Sequence, residues 1–272
     1  MSEISPQTRV PRRAYRNGPR FRMPRILLAL ILREMATTYG RSAGGYIWAI
    51  LDPVLGIMLL SVVFGLALSK PGLGSNFPLF YATGFLPFTM FNDLAAKVAS
   101  SIRYSRPFLA YPSVTYIDAM LARVILNALT HVTVMGIIIG GIFVVYQLPF
   151  VINPLELIEG ILMIISLSVG IGTLNCYLMN AFPVWERAWQ ILTRPLFLAS
   201  GVFFLFDMMP PPAQQVLWYN PLLHCISQIR RGVYPTYQAN FISPGYVFVI
   251  SAVLLLLGLL LLSRSYRDLL ER

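Results

Sequence analysis

Long runs of apolar residues are the feature of this sequence that most restricts its fold. Residues 46–68 and 119–146 each contain a single charged residue, and a helix needs about 20 mainly apolar residues to cross a bilayer. Over the whole chain, 57% of residues are hydrophobic and 12% are charged. That balance leaves too little polar surface for a water-soluble domain and excludes a disordered chain. The sequence therefore predicts an all-α integral membrane protein.

Breaks in the apolar pattern divide the chain into six predicted transmembrane helices. Prolines, glycines and charged residues separate the runs, which gives spans at 46–68, 79–100, 119–146, 155–181, 191–206 and 247–262. Residues 24–40 are too short to cross a bilayer, and we predict an amphipathic helix there that lies along the membrane interface. Residues 1–22 form an Arg-rich leader, and residues 264–272 form a charged tail.

The distribution of basic residues predicts the orientation of the chain. With six spans, 18 of the 21 Lys and Arg residues fall on one side of the membrane. The three on the other side are Lys70, Arg230 and Arg231. Cytoplasmic segments carry the excess of Lys and Arg in membrane proteins, so both termini are predicted to be cytoplasmic. No nucleic-acid-binding motif accompanies the arginines, and we expect no nucleic acid as a partner.

The sequence contains no recognisable catalytic or metal-binding group. His131 and His224 lie on different predicted elements and are interpreted as hydrogen-bonded packing residues. Cys176 and Cys225 have no metal-ligand spacing, and the predicted topology puts them toward opposite faces of the membrane, so no disulfide is expected. A phosphate-binding P-loop requires Gly-Lys, and the only lysines follow Ser69 and Ala96. We predict no enzyme, no metal and no cofactor on this chain.

Carboxylates that could couple transport to an ion gradient are few. Asp52 and Glu156 lie near predicted span ends, whereas a proton- or sodium-coupled carrier needs such groups at depth. Asp93 and Lys97 are four residues apart, a spacing typical of a self-neutralising pair on one helix face. An ion-coupled carrier is therefore disfavoured.

The segment of about residues 207–234 is predicted to contain short re-entrant helices on the outer side of the membrane. Leu222, Ile226, Ile229 and Val233 recur at helical spacing and leave His224, Gln228 and Arg231 on the other face. Non-helical backbone at membrane depth is tolerated only where it is buried or lines water. Arg230 and Arg231 would then lie near an exit, or would extend to the interface as single arginines commonly do.

Three stretches resemble one family, the membrane subunits of type-2 ABC exporters, and specifically the capsular polysaccharide export permeases. The first is residues 32–53 (LREMATTYGRSAGGYIWAILDP), and the second is residues 104–114 (YSRPFLAYPSV), followed by Ile117-Asp118 and Ala122-Arg123. The third runs from Asn220-Pro221 to Gly232 and is shared by type-2 exporters broadly. The resemblance covers residues 23–263 as one ABC-2 type transmembrane domain.

The resemblance implies a separate motor. In this family two copies of a nucleotide-binding ATPase subunit hold ATP and Mg²⁺, and a coupling helix of the permease docks into each. That helix would be about residues 102–113 here, with contacts from Arg103, Tyr104, Arg106, Pro107, Phe108, Tyr111 and Pro112. The same residues could instead form an interfacial belt.

The resemblance also implies a homodimer in a bacterial inner membrane that exports a lipid-linked acidic polysaccharide toward a periplasmic or outer-membrane apparatus. Basic and aromatic side chains suit an acidic glycan, although aromatic residues in spans often serve only packing. The candidates for the substrate path are Arg33, Tyr39, Arg41, Trp48, Tyr81, Phe85, Phe88, Arg230 and Arg231.

Two other functions remain open from the sequence. An O-antigen or teichoic acid exporter permease would share the architecture and differ in the lipid anchor of its substrate. A membrane-embedded lipid-modifying enzyme would need catalytic side chains near the headgroups, and His131 or His224 would then be essential.

Overall fold

The computed structural model describes residues 22–38, 44–109 and 115–271. All regular structure in these residues is helical. Ten α-helices follow one another in this described part, with a 3₁₀ turn at Phe206–Met208 between the seventh and the eighth. They are α1 (Arg22–Thr38), α2 (Gly45–Ala67), α3 (Phe77–Ala99), α4 (Ser101–Leu109), α5 (Tyr116–Val145), α6 (Pro154–Ala181), α7 (Pro183–Ala199), α8 (Pro211–Leu217), α9 (Pro221–Val233) and α10 (Pro244–Glu271).

Four helices in the described part are long and apolar enough to cross a membrane, namely α2, α5, α6 and α10. These correspond to four of the six predicted spans. Of the other two spans, one falls on α3, which carries Asp93 and Lys97 near its carboxyl end, and one falls partly on α7, which carries Glu186, Arg187 and Arg194. The prediction of an all-helical membrane protein is confirmed, and helix length and composition identify four of its six predicted spans.

Helix α3 is the centre of the molecule. It packs against α2, α5, α6 and α9, and residues such as Phe80, Tyr81 and Leu94 are almost completely buried. A helix enclosed by other helices needs no continuous apolar surface of its own. Near the carboxyl end of α3, Asp93 is exposed and Lys97 is half-buried, so these two charged groups are not enclosed by the neighbouring helices.

Glycines allow α6 and α10 to approach closely. A side-chain carbon on Gly170 would lie 2.5 Å from the carbonyl oxygen of Ser251, and one on Gly258 would lie 2.7 Å from the amide nitrogen of Leu174. Contact between small residues is a common means of packing membrane helices. For the glycines of α5, by contrast, no atom of the described chain comes within 4 Å of the position that a side-chain carbon would occupy. Those glycines therefore line open surface.

The boundaries of α7 differ from the predicted fifth span at 191–206. The helix begins at Pro183 and ends at Ala199, so the charged segment that was predicted to be a link is helical. Proline is well suited to the first turn of a helix. Beyond Ala199 the backbone turns at Gly201, which has a φ of 79°, a left-handed conformation that glycine adopts without strain.

Helix α9 is buried on nearly all sides, including the face opposite its apolar residues to which His224 and Gln228 were assigned. Both are fully buried because partners lie opposite them. The Nε2 atom of His224 lies 2.7 Å from the Trp218 carbonyl oxygen, and its Nδ1 accepts a hydrogen bond from the Ser243 amide. His224 is thus a packing residue, as predicted. Cys176 and Cys225 are both buried and free.

Candidate functional site

A cavity of about 420 Å³ lies between α2, α3 and α5, and we call it the polar cleft. Trp48 and Asp52 of α2 line one wall, and Phe88 of α3 lines part of another. The remaining polar lining residues are Thr89, Asn92, Asp93 and Lys97 of α3 and Asn127, Thr130 and His131 of α5. All three helices bring polar groups to one place, although α2 and α5 are among the most apolar segments of the chain.

Asp93 contacts His131 across the polar cleft. The Asp93 Oδ2 and His131 Nε2 atoms are 3.4 Å apart, and the Asp93 side chain is 55% exposed. The sequence predicted Lys97 as the partner of Asp93, but the structure pairs the carboxylate with a residue 38 positions further along the chain. His131 was predicted to be a packing residue, and it lines the cleft instead.

A second polar cluster joins the helices at the end of the molecule where α4 lies, and we call it the α4 junction. It consists of Glu34, Tyr104 and Arg123. Arg123 Nε lies 3.2 Å from Glu34 Oε1, and the side chains are only 4% and 7% exposed. Arg123 Nη1 also donates to the Lys97 carbonyl and the Ser100 hydroxyl at the end of α3. The pair therefore connects α1, α3 and α5.

Tyr104 connects α4 to that ion pair. The guanidinium carbon of Arg123 lies 4.1 Å from the centre of the Tyr104 ring, and that of Arg33 lies 5.5 Å from it. Cation–π contacts of this kind are attractive. The Tyr104 hydroxyl donates a 2.7 Å hydrogen bond to Thr37 Oγ1 of α1. A displacement of α4 would thus act directly on α1 and α5.

Arg103 links α4 to α7. Its Nη2 atom lies 3.2 Å from Glu186 Oε2, and both side chains are about half exposed. Exposed pairs contribute only about 0–1 kcal/mol. The contact therefore orients α4 against α7 without holding the fold together.

Arg230 lies in the core, at the opposite end of α3 from the α4 junction. It is 1% exposed. Its Nη1 donates to the carbonyls of Gly201 and Phe204, and its Nη2 donates to that of Val202. The guanidinium stacks over the Phe80 ring at 4.3 Å. Arg230 thus supplies hydrogen-bond donors to the carbonyl groups of the non-helical backbone after α7. Its guanidinium does not reach a surface where it could contact a substrate.

Arg231 is exposed and lies beside an acidic pair at the start of α6. Its Nη2 is 3.0 Å from Glu156 Oε1. The Nε2 of Gln228 donates to both Glu156 and Glu159 at 2.6 Å. These contacts join α9 to α6.

The aromatic candidates divide into two groups. Trp48 is 59% exposed and lines the polar cleft, together with one side of Phe88. Tyr81 is 1% exposed and packs among Phe64, Phe77 and Phe80. Phe85 and Phe88 contact Phe197 of α7, with ring centres 6.2 and 4.7 Å apart. Tyr81 is therefore a core residue of the protomer.

Several predicted residues are only partly described. Arg106, Pro107 and Phe108 belong to α4, but their side chains lie outside the described part. Tyr39, Arg41, Tyr111 and Pro112 lie in segments that the structure does not describe. Of the predicted coupling residues, Arg103 and Tyr104 are therefore the two whose contacts are known.

Glu34 and the α5 side of the polar cleft were not predicted as site residues. Glu34 and Arg123 are 89 positions apart, so no local pattern links them. Asn127, Thr130 and His131 did carry a signal, since polar side chains inside an apolar span commonly mark a functional site.

The known proteins to which this chain is similar are membrane components of transport systems. The sequence profile of the ABC-2 type transporter family matches residues 25–234. The polysialic acid transport protein KpsM of Escherichia coli is 30% identical over 233 residues, which are 86% of this chain and 90% of that protein. The capsule polysaccharide export inner-membrane protein CtrC of Neisseria meningitidis serogroup B is 24% identical over 240 residues, 88% and 91% of the two chains. The O-antigen export system permease protein RfbA of Klebsiella pneumoniae is 22% identical over 247 residues, 89% and 93% of the two chains.

Proposed function

This chain belongs to the ABC-2 type transporter family, and we propose on that premise that it is the permease subunit of an ATP-driven exporter. Its substrate is a lipid-linked capsular polysaccharide, which it moves across the bacterial inner membrane. The observation that carries this proposal is the similarity to capsule and polysialic acid transport proteins over about nine-tenths of their length. The apolar helices and the polar cleft between them are consistent with a conduit for a hydrophilic polymer.

The motor is a separate protein in this proposal. ATP and Mg²⁺ bind to two copies of an ATPase subunit. This sequence itself contains no Gly-Lys of a P-loop. Helix α4 is the coupling helix that docks into that subunit. The contacts of Tyr104 with Arg123 and Thr37 support this role, since they would transmit a movement of α4 to α5, which lines the polar cleft, and to α1.

Two copies of the chain form the transport path. The face of α2 that carries Leu55, Leu59 and Leu66 is exposed in the single chain and can be covered by lipid or by a second copy. Closed two-fold symmetry would place the path between the copies. The six crossings are α2, α3, α5, α6, α7 and α10, with re-entrant helices α8 and α9 on the periplasmic side. The excess of basic residues on one side of the predicted spans supports a cytoplasmic location of both termini.

An O-antigen exporter is the second candidate, because RfbA aligns with most of this chain. Its lower identity favours the capsule branch. Teichoic acid export is a further sibling function with the same architecture. For a lipid-modifying enzyme, His224 is disfavoured as a catalytic residue, since both of its ring nitrogens are engaged with backbone groups. That alternative would then depend on His131, which lies beside Asp93 in the polar cleft.

Deletion of the gene in its source organism tests the proposal. We expect loss of surface capsule and intracellular accumulation of the polysaccharide on a phospholipid anchor, identified by mass spectrometry of the extracted lipid. Expression of the intact chain should restore export. Accumulation of polysaccharide on undecaprenyl diphosphate would establish the O-antigen alternative, and an unchanged capsule without polysaccharide accumulation on either anchor would overturn both.

A further inference from the structure

The polar cleft combines the groups with which proteins bind sugar rings. Trp48 offers an aromatic face to the apolar C–H face of a ring, while Asp52, Asn92 and Asp93 offer acceptors and donors for hydroxyl groups. The cavity volume of about 420 Å³ falls in the range of small-molecule sites, about 300–1,000 Å³. This volume accommodates a short piece of a glycan rather than a folded polymer.

The polar groups of the cleft are incompletely satisfied by the protein. Asn127 donates to the Arg123 carbonyl and Thr130 to the Leu126 carbonyl. Within the described part of the chain, however, the side chains of Asp52, Asn92 and Lys97 form no hydrogen bond or ion pair with another residue. These side chains are exposed or half-buried, so they are free to bind water or a polar ligand.

The charge of the cleft discriminates between possible polar ligands. Two carboxylates, Asp52 and Asp93, face one ammonium group, that of Lys97. A site for a lipid phosphate would instead concentrate positive charge or backbone amides. The neutral hydroxyl groups of a sugar can both donate to the carboxylates and accept from the amide and ammonium groups. The acid groups of an acidic glycan would be repelled by the two carboxylates and would lie outside the cleft.

We propose that the polar cleft is a binding site for one or two sugar units of the exported glycan, with Trp48 as the stacking platform and Asp52, Asn92 and Asp93 as hydroxyl ligands. This inference rests on the proposed export function and deepens it by naming where the polymer contacts the permease. The α4 junction lies directly beneath the site, because Arg123 bonds to the carbonyl of Lys97, whose side chain lines the cleft. Movement of the coupling helix would therefore reach the sugar site through α3.

Binding of the protein's own cargo tests the site. The probe is a set of short oligosaccharides released from the organism's capsule, titrated by calorimetry into the full chain in nanodiscs with its ATPase subunit. We expect Trp48→Ala and Asn92→Ala each to weaken binding about tenfold or more, as for a central contact residue, and Trp48→Phe to retain part of it. Trp189→Phe, whose residue lies outside the cleft, should leave binding unchanged. Size-exclusion profiles of every variant check its folding.

The outcomes separate this inference from the proposed function. If deletion of the gene blocks capsule export but Trp48→Ala and Asn92→Ala bind oligosaccharide as well as the intact chain, the sugar site is overturned and the exporter function stands. If a phospholipid that co-purifies with the intact chain is lost from both variants while oligosaccharide binding is unchanged, the cleft is a lipid headgroup site. If the gene deletion leaves capsule export intact, the proposed function itself fails.

Discussion

Replacing Glu34 by alanine is expected to abolish export and to lower the free energy of unfolding by about 3–5 kcal/mol. The reason is that Arg123 would remain buried without its counter-charge. Its side chain is 4% exposed, and Glu34 is the carboxylate 3.2 Å from its Nε. Surface capsule measures the first effect, and thermal unfolding of the purified chain, followed by tryptophan fluorescence, measures the second.

Glu186→Ala is the matched control for this prediction. It also removes the acidic partner of an arginine, but the Arg103–Glu186 pair is about half exposed. An exposed pair contributes about 0–1 kcal/mol, so the unfolding temperature should fall much less than for Glu34→Ala. Equal unfolding temperatures for the two variants would show that the buried pair does not stabilise the α4 junction.

Replacing Arg230 by methionine is expected to prevent accumulation of folded protein. Three carbonyl groups, those of Gly201, Val202 and Phe204, would lose their charged donor. Hydrogen bonds to a charged group contribute about 1.5–3 kcal/mol each, and methionine offers no replacement. The fraction of monodisperse protein after detergent extraction is the measurement. Arg230→Lys should recover only part of it, because an ammonium group lacks the planar fork of guanidinium.

Arg231→Met is the control for Arg230→Met, since the two residues are adjacent and equally charged. Arg231 is exposed and contacts only Glu156 among charged groups of the described chain. We expect its substitution to leave accumulation nearly unchanged. If both variants accumulate alike, Arg230 is not the residue that supports the segment after α7.

The fold was predictable where apolar length alone decides the structure. Helices α2, α5, α6 and α10 follow directly from long, mainly apolar runs. The limits of α7 were missed because its first two turns carry Glu186 and Arg187, which resemble a solvated link. The burial of α9 was missed because its polar residues find partners on α6 and in the Trp218 turn, and those contacts are not encoded in its own periodicity.

The candidate site was predictable in its residue types and less so in its geometry. Trp48 and Phe88 were expected to face a substrate, and both line the polar cleft. Arg230 was also expected to face the substrate, but it is buried against the carbonyl groups of Gly201, Val202 and Phe204. The sequence shows the charge of Arg230 and does not show these carbonyl partners. The pairing of Asp93 with His131 depends on how α3 and α5 pack, which spacing within one helix cannot reveal.

Reconstitution of the purified chain in liposomes tests most directly whether the permease is a passive conduit driven by another protein. ATP hydrolysis and movement of lipid-linked polysaccharide are measured with the chain alone and with its ATPase subunit added. We expect the chain alone to hydrolyse no ATP and to move no polymer, and the two proteins together to do both. Nucleotide hydrolysis or sustained polymer export by the isolated chain would contradict this division of roles.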